Sequence, residues 1–176
     1  MKNIVVYESK YGSTERYAKW IAKELHCKIS RIKDIKADEL ANYDNIIFGG
    51  CIDKGRLKGF KKITKKINKL KDKNFLVFAV GLAMTEDKSY QEFKKKNFKD
   101  FNNIQDFYLR GSFNFNKLKF LDKSIMRVFK TMLKKQSSDK ENEQIISMIN
   151  TNAKPVDFTN KENIKPIIQA VKDLSN

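Results

Sequence analysis

Ser9-Lys10-Tyr11-Gly12-Ser13-Thr14 is the segment of this 176-residue chain whose residue types and spacing can do chemistry. A short apolar run of β type, Asn3 to Tyr7, leads into it. An amphipathic helix pattern leaves it, with Tyr17, Trp20, Ile21 and Leu25 on one face and Glu15, Arg16, Lys19 and Lys23 elsewhere. A strand that ends in a hydroxyl-rich loop with a glycine and feeds a helix N-terminus is an anion site. Its backbone N–H groups point at the ligand, and the helix dipole favours negative charge there. Ser9, Ser13 and Thr14 offer hydroxyl donors to phosphate oxygens, and Gly12 lets the backbone come close. The pattern is neither the dinucleotide glycine fingerprint nor a P-loop, because no Gly-Lys-Ser/Thr follows. The competing reading is local: Ser13 or Thr14 simply caps the helix.

Other chemistry finds little support. Cys27 and Cys51 are the only cysteines and lie far apart, so they form neither a CxxC pair nor a metal framework, and His26 is the only histidine. A metal site or a Ser-His-Asp triad is therefore not expected, no catalytic side chain is assigned, and the chemistry falls to a cofactor. Lys and Arg outnumber Asp and Glu by 37 to 21, a net charge of +16. Such a field suits an anionic partner, whether nucleic acid, anionic lipid or an acidic small molecule. The lysines are spread over the whole chain and form no recognisable nucleic-acid reading motif, so no nucleic-acid role is expected. No apolar stretch is long enough to span a bilayer and no signal-peptide pattern precedes Ile4, which leads to the expectation of a cytoplasmic protein.

The elements that must position the loop can be read in order. Cys27 to Ile32 alternates and predicts a short edge strand, and Lys36 to Asn42 a brief helix. Asn45 to Gly50 predicts a buried strand closing on two glycines, whereas Cys51 to Gly59 has no periodicity and reads as a loop. Helical spacing returns through Phe60, Ile63, Ile67 and Leu70. Phe75 to Val80 is the most apolar run and reads as the central strand, ending on Gly81, with a loop over Leu82 to Asp87. Ser89 to Phe101 predicts a Lys-rich helix with Phe93, Phe98 and Phe101 apolar, and Asp106 to Phe115 a fifth strand. Lys161 to Leu174 predicts the last helix, with Ile164, Ile167, Ile168, Val171 and Leu174 inward and Pro166 early, where proline is tolerated. Strands and helices in strict alternation predict an α/β doubly wound parallel sheet, one domain over residues 1–176. Ligands of such sheets bind beyond the carboxyl ends of the strands. Ser9–Thr14, Cys51–Gly59 and Gly81–Asp87 all leave strand ends in that way.

With these loops in place the chain resembles the flavodoxin family. Ser9 to Thr14 is similar to that family's FMN-phosphate loop, usually Thr/Ser-x-Thr-Gly-x-Thr, with Tyr11 at the third position here. The resemblance implies a flavodoxin-like five-stranded parallel sheet of order 2-1-3-4-5, helices on both faces and a helical insertion after strand 5. It implies FMN as cofactor, with Ser9, Lys10, Tyr11, Gly12, Ser13 and Thr14 around the phosphate. Cys51, Ile52, Asp53, Lys54 and Gly55 would lie on one side of the isoalloxazine ring, and Gly81, Leu82, Ala83 and Met84 on the other. Within the family, Gly50 to Gly55 resembles the Gly-x-Ser-Ile-x-x-Gly loop of menaquinone-dependent protoporphyrinogen dehydrogenases. The stretch Arg110 to Met132 is similar to their insertion, with Phe113, Phe115, Asp122, Lys123, Met126 and Arg127 in matching places. Those enzymes commonly have an aromatic residue before the loop glycine, where Lys54 stands here. Lys54 is then either a stabiliser of negative charge on the reduced flavin or a solvated loop lysine.

The insertion carries its own pattern. Over Lys117 to Lys135, Leu118, Leu121, Ile125, Met126, Val128, Phe129, Met132 and Leu133 gather on one helical face and Lys119, Lys123, Arg127, Lys130 and Lys134 lie opposite. Such a helix can lie on an anionic membrane at the inner face of the cell membrane, cover a hydrophobic substrate, or pack on the domain edge. The resemblance implies an FMN-dependent oxidoreductase that oxidises protoporphyrinogen with a quinone as acceptor, the propionates drawn by Arg110, Lys117 or Arg127. The alternatives are a flavodoxin-like electron carrier that docks to redox partner proteins, and a binding module without flavin.

Overall fold

Ile4, Val5 and Val6 are consecutive and none is exposed, so both faces of the first strand are covered. That is the condition under which parallel sheets form, with helices on either side. A computed structural model describes residues 1–68, 73–82, 88–101, 104–113 and 156–174. The chain divides into two compact units, residues 1–111 with 159–176 and residues 112–158.

The first unit runs β1 (Asn3–Glu8), α1 (Ser13–Glu24), β2 (Lys28–Arg31), α2 (Ala37–Leu40), β3 (Asn45–Asp53), β4 (Arg56–Leu57), α3 (Phe60–Ile67), β5 (Asn74–Gly81), α4 (Lys88–Phe98) and β6 (Gln105–Arg110). A 3-10 turn at Lys161–Ile164 and α5 (Lys165–Asp173) complete it. The main strands are parallel in the order β2-β1-β3-β5-β6. Counted without the short β4, this is the 2-1-3-4-5 order expected of a flavodoxin-like fold. In the second unit the described residues include an antiparallel pair, β7 (Ser112–Phe113) with β8 (Val156–Asp157).

Two cores lie on opposite faces of the sheet, as the alternation of side chains along a strand requires. Val5, Ile47, Leu76, Phe78, Val80 and Leu109 pack under α1 and α5, against Tyr17, Ile21, Ile167 and Val171. Ile4, Val6, Ile46, Phe48, Val77 and Ala79 pack under the other helices, against Leu40, Phe60, Ile63 and Phe93. Register is pinned at the amino end of the sheet, where Asn3, Asn45 and Asn74 stand opposite one another. The fully buried Asn45 amide donates to Asn3 Oδ1, and its carbonyl accepts from Asn74 Nδ2, both at 2.7 Å. A buried amide satisfied on both sides holds three strands level.

Four expectations need correction. The Cys51–Gly59 segment is not a loop: β3 continues to Asp53, turns over Lys54 and Gly55, and pairs back through Ile52–Leu57 and Asp53–Arg56. Both turn residues have left-handed backbone, φ 52° at Lys54 and 73° at Gly55. That geometry matches the right-handed twist of a two-residue hairpin. Phe75–Val80 is interior, but the middle of the sheet belongs to β3, flanked by β1 and β5. The fifth main strand stops at Arg110, beyond which Gly111 separates it from β7. The last helix opens as a 3-10 turn, and α5 proper has Pro166 in its first turn, where no helical N–H partner is lost. The Lys117–Lys135 helix lies outside the described residues, as do Leu70, Phe115, Ala83 and Met84.

Candidate cofactor site

Because β1, β3, β5 and β6 run parallel, their carboxyl ends share one edge, with Glu8, Gly50, Ala79 and Tyr108 level with one another. Every described loop residue singled out from the sequence sits at that edge.

At the end of β1, Gly12 and not Ser13 or Thr14 occupies the N-cap of α1. Its φ of 100° is left-handed, and it brings no side-chain cap to the helix. A Cβ added there would meet nothing within 4 Å. The Gly12 N–H donates to Ser9 Oγ at 3.1 Å, which curls the loop back on itself. Ser13 and Thr14 therefore belong to the first turn of the helix, both buried. The helix starts with a positive dipole end, adjacent hydroxyls and an approach free of any cap side chain. That donor set fits a phosphate. Tyr11 projects outward, 38% exposed, with the Lys10 ammonium 4.9 Å above its ring.

The end of β3 lies beside this loop. Lys10 Nζ is 3.8 Å from Asp53 Oδ2. The Cys51 thiol is raised above its ordinary pKa chiefly by burial, opposed by a hydrogen bond to the Lys10 main chain and by the charge of Lys58. Cys51, Ile52, Asp53, Lys54 and Gly55 therefore form a β-hairpin against the first loop. Lys54 is exposed in its left-handed turn.

The ends of β5 and β6 close the edge. Gly81 lies between Ile52 and Tyr108: a Cβ on it would fall 2.9 Å from Tyr108 Oη and 3.1 Å from Ile52 Cδ1. Leu82 follows, half-buried, while Ala83 and Met84 lie outside the described residues. The Gly111 N–H donates to the Gly81 carbonyl at 2.7 Å. A Cβ on Gly111 would stand 3.5 Å from the Ser13 side chain, which places this turn against the first loop as well. Tyr17 of α1 donates its hydroxyl to the Arg110 carbonyl at 2.8 Å and fastens the helix to the end of β6.

The structure thus brings together Ser9–Thr14, Cys51–Gly55 and Gly81–Leu82. It adds Tyr108 and Gly111, which no local sequence pattern announces because their role comes only from the pairing of β6 with β5. A cavity of about 570 Å³ lies at the opposite end of the sheet, lined by Ile46, Lys73, Phe75, Phe101 and Ile104 among others. It is remote from these loops and shares no residue with them.

The family model described as a flavodoxin domain matches residues 4–140. An uncharacterized protein of Methanocaldococcus jannaschii is 32% identical over 114 residues, spanning 63% of this chain and 76% of its own length. Among solved structures, the flavodoxin WrbA-like protein from Agrobacterium tumefaciens matches at 30% identity with a TM-score of 0.41, over 49% of this chain and 64% of its own. The chain therefore spans just under two thirds of that protein. Oxidised Flavodoxin 2 from Bacillus cereus matches at 20% identity and a TM-score of 0.46, over 62% of this chain and 86% of its own. With the family model covering most of the sequence, the chain belongs to the flavodoxin domain family, and FMN is the cofactor that this membership assigns to it.

Proposed function

We propose that the chain is an FMN-dependent oxidoreductase. What carries the reading is the start of α1, where a left-handed glycine without a side-chain cap opens the helix N-terminus toward solvent-accessible space. Ser9, Gly12, Ser13 and Thr14 would hold the phosphate, with Lys10 and Tyr11 beside them. The Cys51–Gly55 hairpin and the Gly81–Met84 segment would flank the ring. Bound FMN supplies one- and two-electron transfer, chemistry that the chain's own side chains lack. The protein's part is placement and electrostatics: the hairpin limits water on one side, and Lys54 and Lys58 set a positive potential beside it.

The finer reading is that the electrons come from a porphyrinogen and pass to a quinone. Its support is the likeness of Gly50–Gly55 to the corresponding loop of protoporphyrinogen dehydrogenases, together with Arg110 at the end of β6 as a cation for the propionates. The exposed Lys54 and Arg56 equally suit docking of an acidic redox protein, which is the carrier alternative. Peripheral contact with an anionic membrane at its cytoplasmic face is part of the first reading through the Lys117–Lys135 segment. Among the described residues no helix is long and apolar enough to cross a membrane.

The decisive experiment is the visible spectrum of the purified protein before and after FMN is added. Stoichiometric flavin with a perturbed spectrum supports the reading, and absence of binding at saturating FMN removes it. An anaerobic porphyrinogen–quinone assay on the chain with and without Lys117–Lys135 then tests the finer one. Turnover that needs this segment supports it. Electron exchange with a reductase in the absence of any small substrate favours the carrier.

A further inference from the structure

The outer edge of the hairpin that would face the flavin is bonded by the Asn97 side chain. Asn97, on α4, donates its amide to the Gly55 carbonyl at 3.1 Å, and its carbonyl accepts the Leu57 N–H at 3.0 Å. The same amide donates to the Phe93 carbonyl one helical turn back, at 2.8 Å, which fixes the rotamer on its own helix. Gly55 carbonyl and Leu57 N–H lie on the outward edge of β4, two residues apart. A neighbouring strand would engage those groups with one residue's N–H and C=O. The Asn97 carboxamide supplies the same donor and acceptor from a helix, with an N–H and a C=O on one amide as in a peptide.

The hairpin needs this fastening. Its ladder is two residue pairs long, Ile52–Leu57 and Asp53–Arg56, closed below by the Lys58 N–H on the Cys51 carbonyl at 2.9 Å. Its turn holds a lysine in left-handed backbone, which a side chain with a Cβ disfavours. A two-stranded ribbon of this length is marginal by itself.

We infer that Asn97 is a positioning residue for the flavin: by clamping the outer edge of β4 it sets the height and tilt of the Lys54–Gly55 turn over the ring. The inference rests on the flavin reading of this site. Asn97 bonds the hairpin and its own helix, and its effect on the flavin is argued through the position of the turn. Asn97→Leu removes both outward bonds. Asn97→Asp keeps the acceptor for Leu57 but sets a carboxylate oxygen against the Gly55 carbonyl.

The test uses the full chain in three forms, wild type, Asn97→Leu and Asn97→Asp, with two readouts. Amide hydrogen exchange without added FMN reports the clamp: Leu57 exchanges about tenfold faster in Asn97→Leu and stays protected in Asn97→Asp. FMN titration and the midpoint potential of the bound flavin report the positioning: both variants bind FMN several-fold more weakly and shift its potential. Wild-type exchange at Leu57 in Asn97→Leu overturns the clamp. Wild-type affinity and potential in both variants overturn the positioning role even if exchange changes. Failure of the wild type to take up FMN removes the flavin reading and the positioning role with it, while the exchange data still decide the clamp. Should Asn97→Leu fail to fold, the isosteric Asn97→Asp carries the flavin arm alone.

Discussion

Gly12 separates a helix cap from a phosphate site. Its φ of 100° costs a residue with a Cβ about 1–2 kcal/mol, because left-handed backbone presses the Cβ against the carbonyl oxygen. Space is not the obstacle, since an added Cβ meets nothing within 4 Å. Gly12→Ala should therefore lose about 1–2 kcal/mol of stability from backbone strain alone, roughly 2–4 °C in Tm for each kcal/mol. Gly12→Asn should lose less, because asparagine tolerates this region better than other side chains. The two substitutions diverge at the ligand. If the space over Gly12 receives a phosphate, the asparagine side chain occupies it, and FMN affinity should fall about tenfold or more, equivalent to ~1.4 kcal/mol. Urea unfolding of the FMN-free protein gives the stability term, and fluorescence quenching of FMN gives the dissociation constant. A Gly12→Asn protein that unfolds like the wild type but binds FMN weakly is the expected result. A Gly12→Asn protein that binds FMN as tightly as the wild type would refute the assignment of this glycine to the phosphate.

Other consequences follow from the packing and the charges. Asn45→Ala should cost about 1–3 kcal/mol in urea unfolding, because it leaves the Asn3 and Asn74 amides without their buried partner; a change below ~0.5 kcal/mol would argue against the ladder. Burial pushes the Cys27 thiol up to about 11, so at pH 8 roughly one molecule in a thousand carries the thiolate. Cys51 is raised in the same direction. Both thiols should react slowly with a disulfide reagent in the native protein and quickly in denaturant, and rapid native labelling would contradict their placement. Glu15 is held below its ordinary 4.5, first by the Lys19 hydrogen bond and then by the charges of Lys19 and Arg31. A depressed carboxyl stabilises the fold above its unfolded pKa and loses that contribution as pH falls through the folded one. The Glu15 side chain is 26% exposed, so the effect is about 0.5 kcal/mol or less. The stability gap between wild type and Glu15→Gln should therefore be present at pH 7 and shrink in acid as pH falls from the ordinary 4.5 through the lowered folded value, and a gap that widens in acid would reverse the sign of the argument.

The first loop was legible because everything that shapes it is local. An apolar run, a glycine and an amphipathic helix within two dozen residues dictate a strand, a break and a helix start, whatever surrounds them. The same holds for the alternation that predicts a parallel sheet and for the apolar faces of α1 and α5, where Tyr17, Ile21, Ile167 and Val171 are buried as the periodicity requires. The competing local reading, a cap at Ser13 or Thr14, falls one or two residues past the observed N-cap, since those hydroxyls suit either a cap or the first turn. Backbone conformation at Gly12, not side-chain type, decides between them.

What the tertiary structure alone decided are the features that depend on partners distant in the chain. Cys51–Gly59 carries no alternating pattern, and a Lys-Gly turn lacks the Asn-Gly or Asp-Gly signature of a hairpin. Its fold is secured by Asn97, some forty residues further on, which no sequence window around the hairpin contains. Phe75–Val80 is the more apolar run, yet the crossover of the chain places β3 in the middle, with its end beside Ser9–Thr14. Gly81, Tyr108 and Gly111 join the site through the register of β5 with β6. Local sequence specified the Ser9–Thr14 loop by propensity and periodicity. The assembly of the other strand ends around it is a matter of strand order and long-range hydrogen bonding, which propensity does not encode.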